Sequence, residues 1–198
     1  MNLFRSLIAA SSVFLVHSAF GQAFGIRSGS TFGELRSYLI DDSYEKRSVF
    51  GTLPDRLPRS WRALPPQANP RLDSYEVKFN SLGVVKEVAG FSLVERKAVD
   101  AVARDLHLRL LSKYHKPGES RADQWPDFQE ALSTGKPKGG AFLYASWHSY
   151  SGPSLFPPGL ALVSIEVKPV QRKEEMCEVR VTYLFNDVPD LDDKGRGL

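Results

Sequence analysis

The sequence is poor in the residues that cross-link a chain or bind metals. Its 198 residues include one cysteine, two methionines and four histidines, so an internal disulfide is excluded. Hydrophobic residues make up 42% of the chain and the mean hydropathy is -0.27. This composition excludes an intrinsically disordered chain, a collagen-like repeat and a polytopic membrane protein, and it favours an ordinary globular domain.

Local catalytic motifs are also missing. The sequence has no H-E-x-x-H, C-x-x-C, G-x-S-x-G or P-loop pattern. The segment 135–140 resembles a phosphate loop, but Pro137 and the reversed Gly-Lys order predict a turn instead. His107 and His115 are two helical turns apart, too far along the axis to share one metal ion. We therefore predict no cofactor and no metal site.

The N-terminus has the features of a secretory leader. Arg5 precedes the apolar run 7–16, and Ala19-Phe20-Gly21 fits the small-x-small rule for cleavage before Gln22. A membrane anchor is the alternative, but the run ends at His17, short of the roughly 20 apolar residues of a spanning helix. We expect a signal peptide at 1–21, a periplasmic or secreted protein and no transmembrane segment after cleavage. No cysteine lies nearby to carry a lipid.

The mature chain should form one α+β domain at 22–186, either compact or built as two lobes, about 22–90 and 91–186. Cleavage would leave 25 basic and 23 acidic side chains, a balance that predicts no nucleic-acid partner. The tail 187–198 has four aspartates and two glycines, so we expect it to be flexible. Cys177 alternates with Val179 and Val181 and is predicted to be a buried hydrophobe rather than a reactive thiol.

Helix signals occur at three places. Thr31 and Glu34 have the capping-box spacing and predict a short helix over 32–40. Ser92 and Glu95 repeat that spacing and predict a long helix of about 22 residues that ends before Pro117. A shorter helix is predicted over 126–132.

Strand signals are more numerous. Alternation over 75–79 and 84–88, with turn residues between, predicts a β-hairpin. Three further strands, 141–148, 160–168 and 177–185, predict a C-terminal meander with one solvated face. The fold class is therefore α+β: an antiparallel sheet, formed by the N-terminal hairpin and the three-stranded meander, packed by one long and two short helices. Whether this sheet is continuous or split stays open.

The segment 44–72 is rich in proline and basic residues, and we expect it to be irregular, with one strand near 48–53. In one interpretation it is a solvated loop anchored by apolar side chains, namely Leu53, Leu57, Trp61 and Leu64. In the other it is a basic binding surface for an acidic partner, formed by Arg47, Arg56, Arg59 and Arg62. The arginines lack the interleaved aromatics of a nucleic-acid platform, which favours the loop.

One local cluster is compatible with catalysis. Ser146, His148 and Ser149 lie at a predicted strand end, beside a Gly/Pro loop. A serine next to a histidine can form an activated nucleophile if a carboxylate orients the imidazole and an oxyanion hole is present. The sequence indicates neither, so a strand running into a polar loop, with Trp147 packed inward, is the favoured interpretation.

Several short segments resemble small exported bacterial proteins known only as hypothetical-protein families. They are Gly29-Ser30-Thr31-x-x-Glu34-Leu35, Tyr75-Glu76-Val77, Gly83-Val84-Val85, Leu111-x-Lys113-Tyr114, Ala145-Ser146-Trp147 and Val181-Thr182-Tyr183-Leu184-Phe185-Asn186. The opening helix with paired strands, over about 25–90, also resembles BamE-type and β-lactamase-inhibitor-like modules. That resemblance implies a protein of the bacterial envelope that works by binding other proteins, but this chain lacks their lipidated cysteine.

Three functional hypotheses follow. The first is an exported non-enzymatic protein that binds a protein or another envelope component. The second is a hydrolase that uses His148 with Ser146 or Ser149. The third is a secreted effector acting on a foreign cell. The ligand and the oligomeric state are not predicted.

Overall fold

A computed structural model describes residues 22–40, 60–114, 117–133, 141–149, 156–170 and 175–186. The predicted leader, the possible strand near 48–53, the turn at 135–140, the tail at 187–198 and His115 lie outside these ranges. So do two of the predicted loop anchors and three of the four arginines of the basic segment: Leu53, Leu57, Arg47, Arg56 and Arg59.

The described part of the chain is α+β, as predicted. The strands are β1 (Gln22–Ala23), β2 (Ile26–Arg27), β3 (Leu39–Ile40), β4 (Ser60–Ala63), β5 (Ser74–Phe79), β6 (Val85–Glu95), β7 (Glu119–Ser120), β8 (Phe142–His148), β9 (Leu160–Pro169) and β10 (Met176–Phe185). The α-helices are α1 (Phe32–Leu35), α2 (Val99–Tyr114) and α3 (Trp125–Ser133).

In the described ranges, eight strands form one antiparallel sheet in the order β3-β4-β5-β6-β10-β9-β8-β7, while β1 and β2 form a separate two-stranded sheet. The predicted hairpin is β5–β6 and the predicted meander is β8–β9–β10. Pairing between β6 and β10, for example Val88 opposite Tyr183, joins the two into a continuous sheet. The sequence pattern left this junction open because alternation indicates the faces of a strand but not its neighbour.

The long helix begins later than predicted. Ser92 does not cap it: this residue lies inside β6, opposite Val179 of β10, and its hydroxyl donates a hydrogen bond to the Asp73 carboxylate. The strand continues to Glu95 because β10 supplies a full ladder of backbone partners there, and these outweigh a local capping signal. The helix α2 therefore has 16 residues rather than about 22.

The first helix is also shorter than predicted. Its capping box is present: Thr31 accepts a hydrogen bond from the backbone of Glu34, and the Glu34 carboxylate accepts one from the backbone of Thr31. The α-helix ends at Leu35, and the chain continues as a 3₁₀ turn and then as β3. Pairing of Leu39 with Ala63 of β4 draws these residues into the sheet.

The segment predicted to be irregular contains β4. Its alternating residues point to opposite faces: Trp61 and Ala63 are buried, whereas Arg62 is exposed. Trp61 packs on the core as predicted, but Leu64 is 66% exposed and does not.

One face of the sheet, the covered face, carries the core. The helix α2 contacts β8, β9 and β10, and its inward residues recur at helical spacing: Val99, Ala103, Leu106, Leu110 and Tyr114. Trp147 is 2% exposed, and Cys177 is buried on the same face as Val179 and Val181, as predicted. The helix α3 packs through Trp125 against Phe142 and Tyr144. No helix in the described ranges is long and apolar enough to cross a membrane.

Candidate functional site: the open face of the sheet

The face opposite the helices, the open face, has a row of small side chains across its centre. Ala89, Thr182, Ser164 and Ser146 are successive cross-strand partners on β6, β10, β9 and β8. Neighbouring strands are about 4.8 Å apart, so these residues form one line perpendicular to the strands. Glu76 of β5 continues the row at one end and Glu119 of β7 at the other.

Three of the four small residues are buried although they lie on the polar face, whereas Thr182 is partly exposed. Ala89 is 0%, Ser146 2% and Ser164 3% exposed. Arg180 of β10 reaches Glu76 at one end of the row, and His148 contacts Ser146 at the other.

Arg180 of β10 forms the central charged network of this face. Its guanidinium donates to Glu76 at 2.9 Å and lies 3.8 Å from Glu87 and 3.7 Å from Glu178. It also lies 5.6 Å from the centre of the Phe91 ring, within cation–π range. Glu76 is the partner of Ala89 on β5 and Glu87 lies two residues before Ala89 on β6, so the Arg180 side chain crosses β6 to reach Glu76.

Ser146, at the β8 end of the row, makes a second polar contact on this face, with His148. They are two residues apart on β8 and share a face, and the Ser146 Oγ lies 2.9 Å from His148 Nε2. This is the hydroxyl–imidazole contact that nucleophilic catalysis requires. The structure therefore brings together two of the three candidate catalytic residues.

The other requirements of a hydrolase are not met among the described residues. No carboxylate is hydrogen-bonded to His148; Glu119, in register with Ser146, pairs instead with Arg121 at 2.9 Å. The strands β7 and β9 flank Ser146 on both sides, so its surroundings are a backbone ladder rather than the free N–H groups of an oxyanion hole. The Ser146 side chain is also too buried to meet a substrate without rearrangement.

The remaining predicted residues are dispersed. Ser149 follows β8 in a turn, where its backbone N–H donates to the Ala161 carbonyl at 3.0 Å. Arg62 is exposed on the open face opposite Glu76. It is the only one of the four proposed binding arginines that the described ranges include.

Apolar side chains accompany the charges on the open face. Leu93 is 46% exposed, and Phe91, two residues earlier on β6, is half-buried beneath Arg180. Sequence reasoning missed this group. The alternation of β6 and β10 could place these residues on one face, but only the register between the strands brings them together.

The covered face contains polar atoms that lack partners. His107 Nε2, the Tyr114 hydroxyl and Trp125 Nε1 are buried without hydrogen bonds in the described part of the chain. Burial lowers the pKa of His107, whose ring packs edge-on against Tyr144 and Trp147. The Tyr114 hydroxyl lies beside that of Tyr183 without reaching hydrogen-bond geometry, and burial raises the pKa of both phenols.

Burial raises the pKa of the Cys177 thiol, so it is the neutral, unreactive form that is favoured. Within the ranges that the structure describes, no three His, Cys, Asp or Glu side chains are grouped so that they could hold a metal ion.

Comparisons with known proteins gave no relatives: no protein-family model, curated protein or solved structure matches the chain.

Proposed function

We propose that this chain is an exported, non-enzymatic protein that binds a protein of the cell envelope through the open face. The observation that carries the proposal is the asymmetry of the sheet. The contacts of α1, α2 and α3 fall on the covered face, while the opposite face presents Phe91, Leu93 and Arg180. Aromatic, apolar and arginine side chains in one group are typical of residues that dominate protein–protein binding.

The charges of the open face favour a protein over a polyanion as the partner. Two positive side chains of this face are paired with carboxylates: Lys78 pairs with Glu87 at 2.8 Å, and Arg180 lies among three glutamates. A surface with paired charges has no strong field of one sign. Affinity would then come from apolar burial, with Arg180 and its partners setting orientation.

Site-specific photocrosslinking tests the proposal. A photoreactive phenylalanine analogue placed at Leu93 should give a discrete adduct in envelope extracts. The same analogue at Leu108, an equally accessible position on α2 at 59% exposure, is the matched control and should not. The adduct partner, once purified, should bind the wild-type chain and lose about tenfold or more in affinity with Leu93→Arg but not with Leu108→Arg. Equal adducts at both positions would refute the proposed surface.

Export is tested separately. We infer from residues 1–21 that the mature protein begins at Gln22. Intact-mass measurement of the protein produced in a bacterial host should show the shortened chain in the periplasm or medium. A cytosolic protein that retains Met1 would refute export and an envelope partner, but it would not bear on binding through the open face.

A hydrolase is the second candidate because Ser146 Oγ and His148 Nε2 are 2.9 Å apart. A fluorophosphonate probe should label the native protein if Ser146 is an activated nucleophile, and Ser146→Ala should abolish that labelling while Ser149→Ala leaves it intact. We expect no labelling of the native protein, since Ser146 is buried and no carboxylate in the described ranges orients His148.

A further inference from the structure

The turn of the β1–β2 hairpin contains a residue that is unfavourable for its backbone conformation. Phe24 and Gly25 form the two-residue connection, with φ of 52° and 84°. Such turns favour asparagine, aspartate or glycine first and glycine second. A bulky residue with positive φ is an outlier. The phenylalanine is therefore explained by what its ring contacts rather than by turn formation.

The Phe24 ring occupies a slot lined by aromatic side chains. It meets Tyr75 at 4.9 Å and Tyr183 at 5.1 Å between ring centres, both edge to face, a favoured arrangement. Gly90 forms the floor: a Cβ there would lie 2.6 Å from Leu72, 2.9 Å from Tyr75 and 3.1 Å from Phe24. We name Leu72, Tyr75, Gly90 and Tyr183 the aromatic slot.

The hairpin that carries Phe24 lies beside the eight-stranded sheet and is not part of it. Its two strands pair with each other and not with the eight-stranded sheet. The backbone N–H of Gln67 donates to the Phe24 carbonyl at 3.0 Å. Ala23 and Ile26 are buried, but Phe24 itself is only half-buried. The slot therefore opens to the surface and holds its occupant mainly through apolar contacts.

We propose that the aromatic slot is a recognition site for a peptide that presents an aromatic side chain at a tight turn, and that Phe24 fills it in cis. The slot lies on the covered face, so this site is separate from the open face and does not depend on the function proposed for it. The N-terminal hairpin then competes with the peptide for the aromatic slot. The peptide binds only when Phe24 has moved out of the slot.

A peptide titration of the full chain tests this site. Phe24→Gly removes the competing ring and relieves the positive-φ strain. The probe is a synthetic peptide of residues 22–31, and the control is the same peptide with alanine at position 24. Calorimetry should show saturable binding of the phenylalanine peptide to the variant, at least tenfold tighter than to the wild-type chain, and no binding of the alanine peptide. Equal affinity for both chains, or no binding to the folded variant, would overturn the proposal.

Phe24→Leu guards the test against misfolding. Gly90→Ala tests the slot floor and is compared only in a chain shown to be folded, because its Cβ would lie 2.6 Å from Leu72. Phe24→Leu keeps an apolar side chain over the core, and we expect it to bind the peptide with an affinity between those of Phe24→Gly and the wild type. Adding Gly90→Ala to either Phe24 variant places a methyl group on the slot floor and should abolish peptide binding. Peptide binding that persists with Gly90→Ala, or a folded Phe24→Leu variant that binds no better than the wild type, would equally refute the slot.

Discussion

The two faces of the sheet use the same strands in different ways. On β8, Trp147 points to the covered face and packs against His107 and Tyr114, while Ser146 and His148 point to the open face and bond to each other. Trp147 is buried beneath α2, whereas on the open face Ser146 is buried and His148 stays partly exposed.

This difference separates stability from function. Removal of apolar surface from water stabilises a fold by about 25 cal/mol per Å², and the covered face has the large aromatic and aliphatic side chains that supply it. Partly exposed ion pairs and hydrogen bonds contribute much less. Changes on the covered face should therefore threaten the fold, whereas changes on the open face should be tolerated and are available for recognition.

The largest expected effect is that of Trp147→Ala. The residue is 2% exposed and packs under α2, so its loss leaves a cavity and should cost about 3–5 kcal/mol of unfolding free energy. Urea denaturation followed by circular dichroism measures this loss. His148→Ala, one residue further on the opposite face, is the matched control and should cost about 1 kcal/mol. Similar losses for both variants would contradict the comparison.

An intermediate effect is expected at Arg180. The side chain is 23% exposed and bridges Glu76 and Glu87. Arg180→Met keeps the stem over Phe91 but removes the charge, so Glu76 and Glu178 lose the Arg180 cation while Glu87 keeps Lys78 at 2.8 Å. We expect a loss of about 1–2 kcal/mol that becomes smaller in 1 M salt, where the repulsion between the carboxylates is screened. A loss that salt does not change would show that packing, not charge, is the contribution of Arg180.

Acidification should lower the unfolding free energy because His107, half-buried on the covered face, becomes protonated. Burial lowers its pKa in the folded chain, so between the folded and the unfolded pKa the unfolded state binds more protons. The contribution of neutral His107 to the unfolding free energy is therefore fully present above the ordinary histidine pKa, and it is lost as the pH falls below that value toward the folded pKa. Urea titrations from pH 8 to pH 4.5 should show a smaller decline for His107→Gln than for the wild type. Parallel curves would assign the acid sensitivity to other groups.

The sequence predicted the fold class and most elements because apolar alternation and turn residues are local. The three C-terminal strands and the first capping box are confirmed. The helix start predicted at Ser92 was wrong. A capping signal depends on four neighbouring residues, whereas β6 is extended by pairing with β10, more than 80 positions away. The open-face group was missed for the same reason: Phe91, Arg180 and Glu76 meet only through strand register, which alternation does not encode.

The smallest stability effect, and the sharpest test of the open face as a recognition surface, is expected for the exposed leucines. Leu93 and Leu108 are 46% and 59% exposed, on the open face and on the outer side of α2 respectively. Leu93→Ser and Leu108→Ser should each change the unfolding free energy by no more than about 0.5 kcal/mol, since neither fills a cavity. Only Leu93→Ser should weaken binding to the crosslinked partner. A stability loss at Leu93 as large as those of buried leucines would show that it is a packing residue, and the proposed surface would lose its most exposed apolar contact.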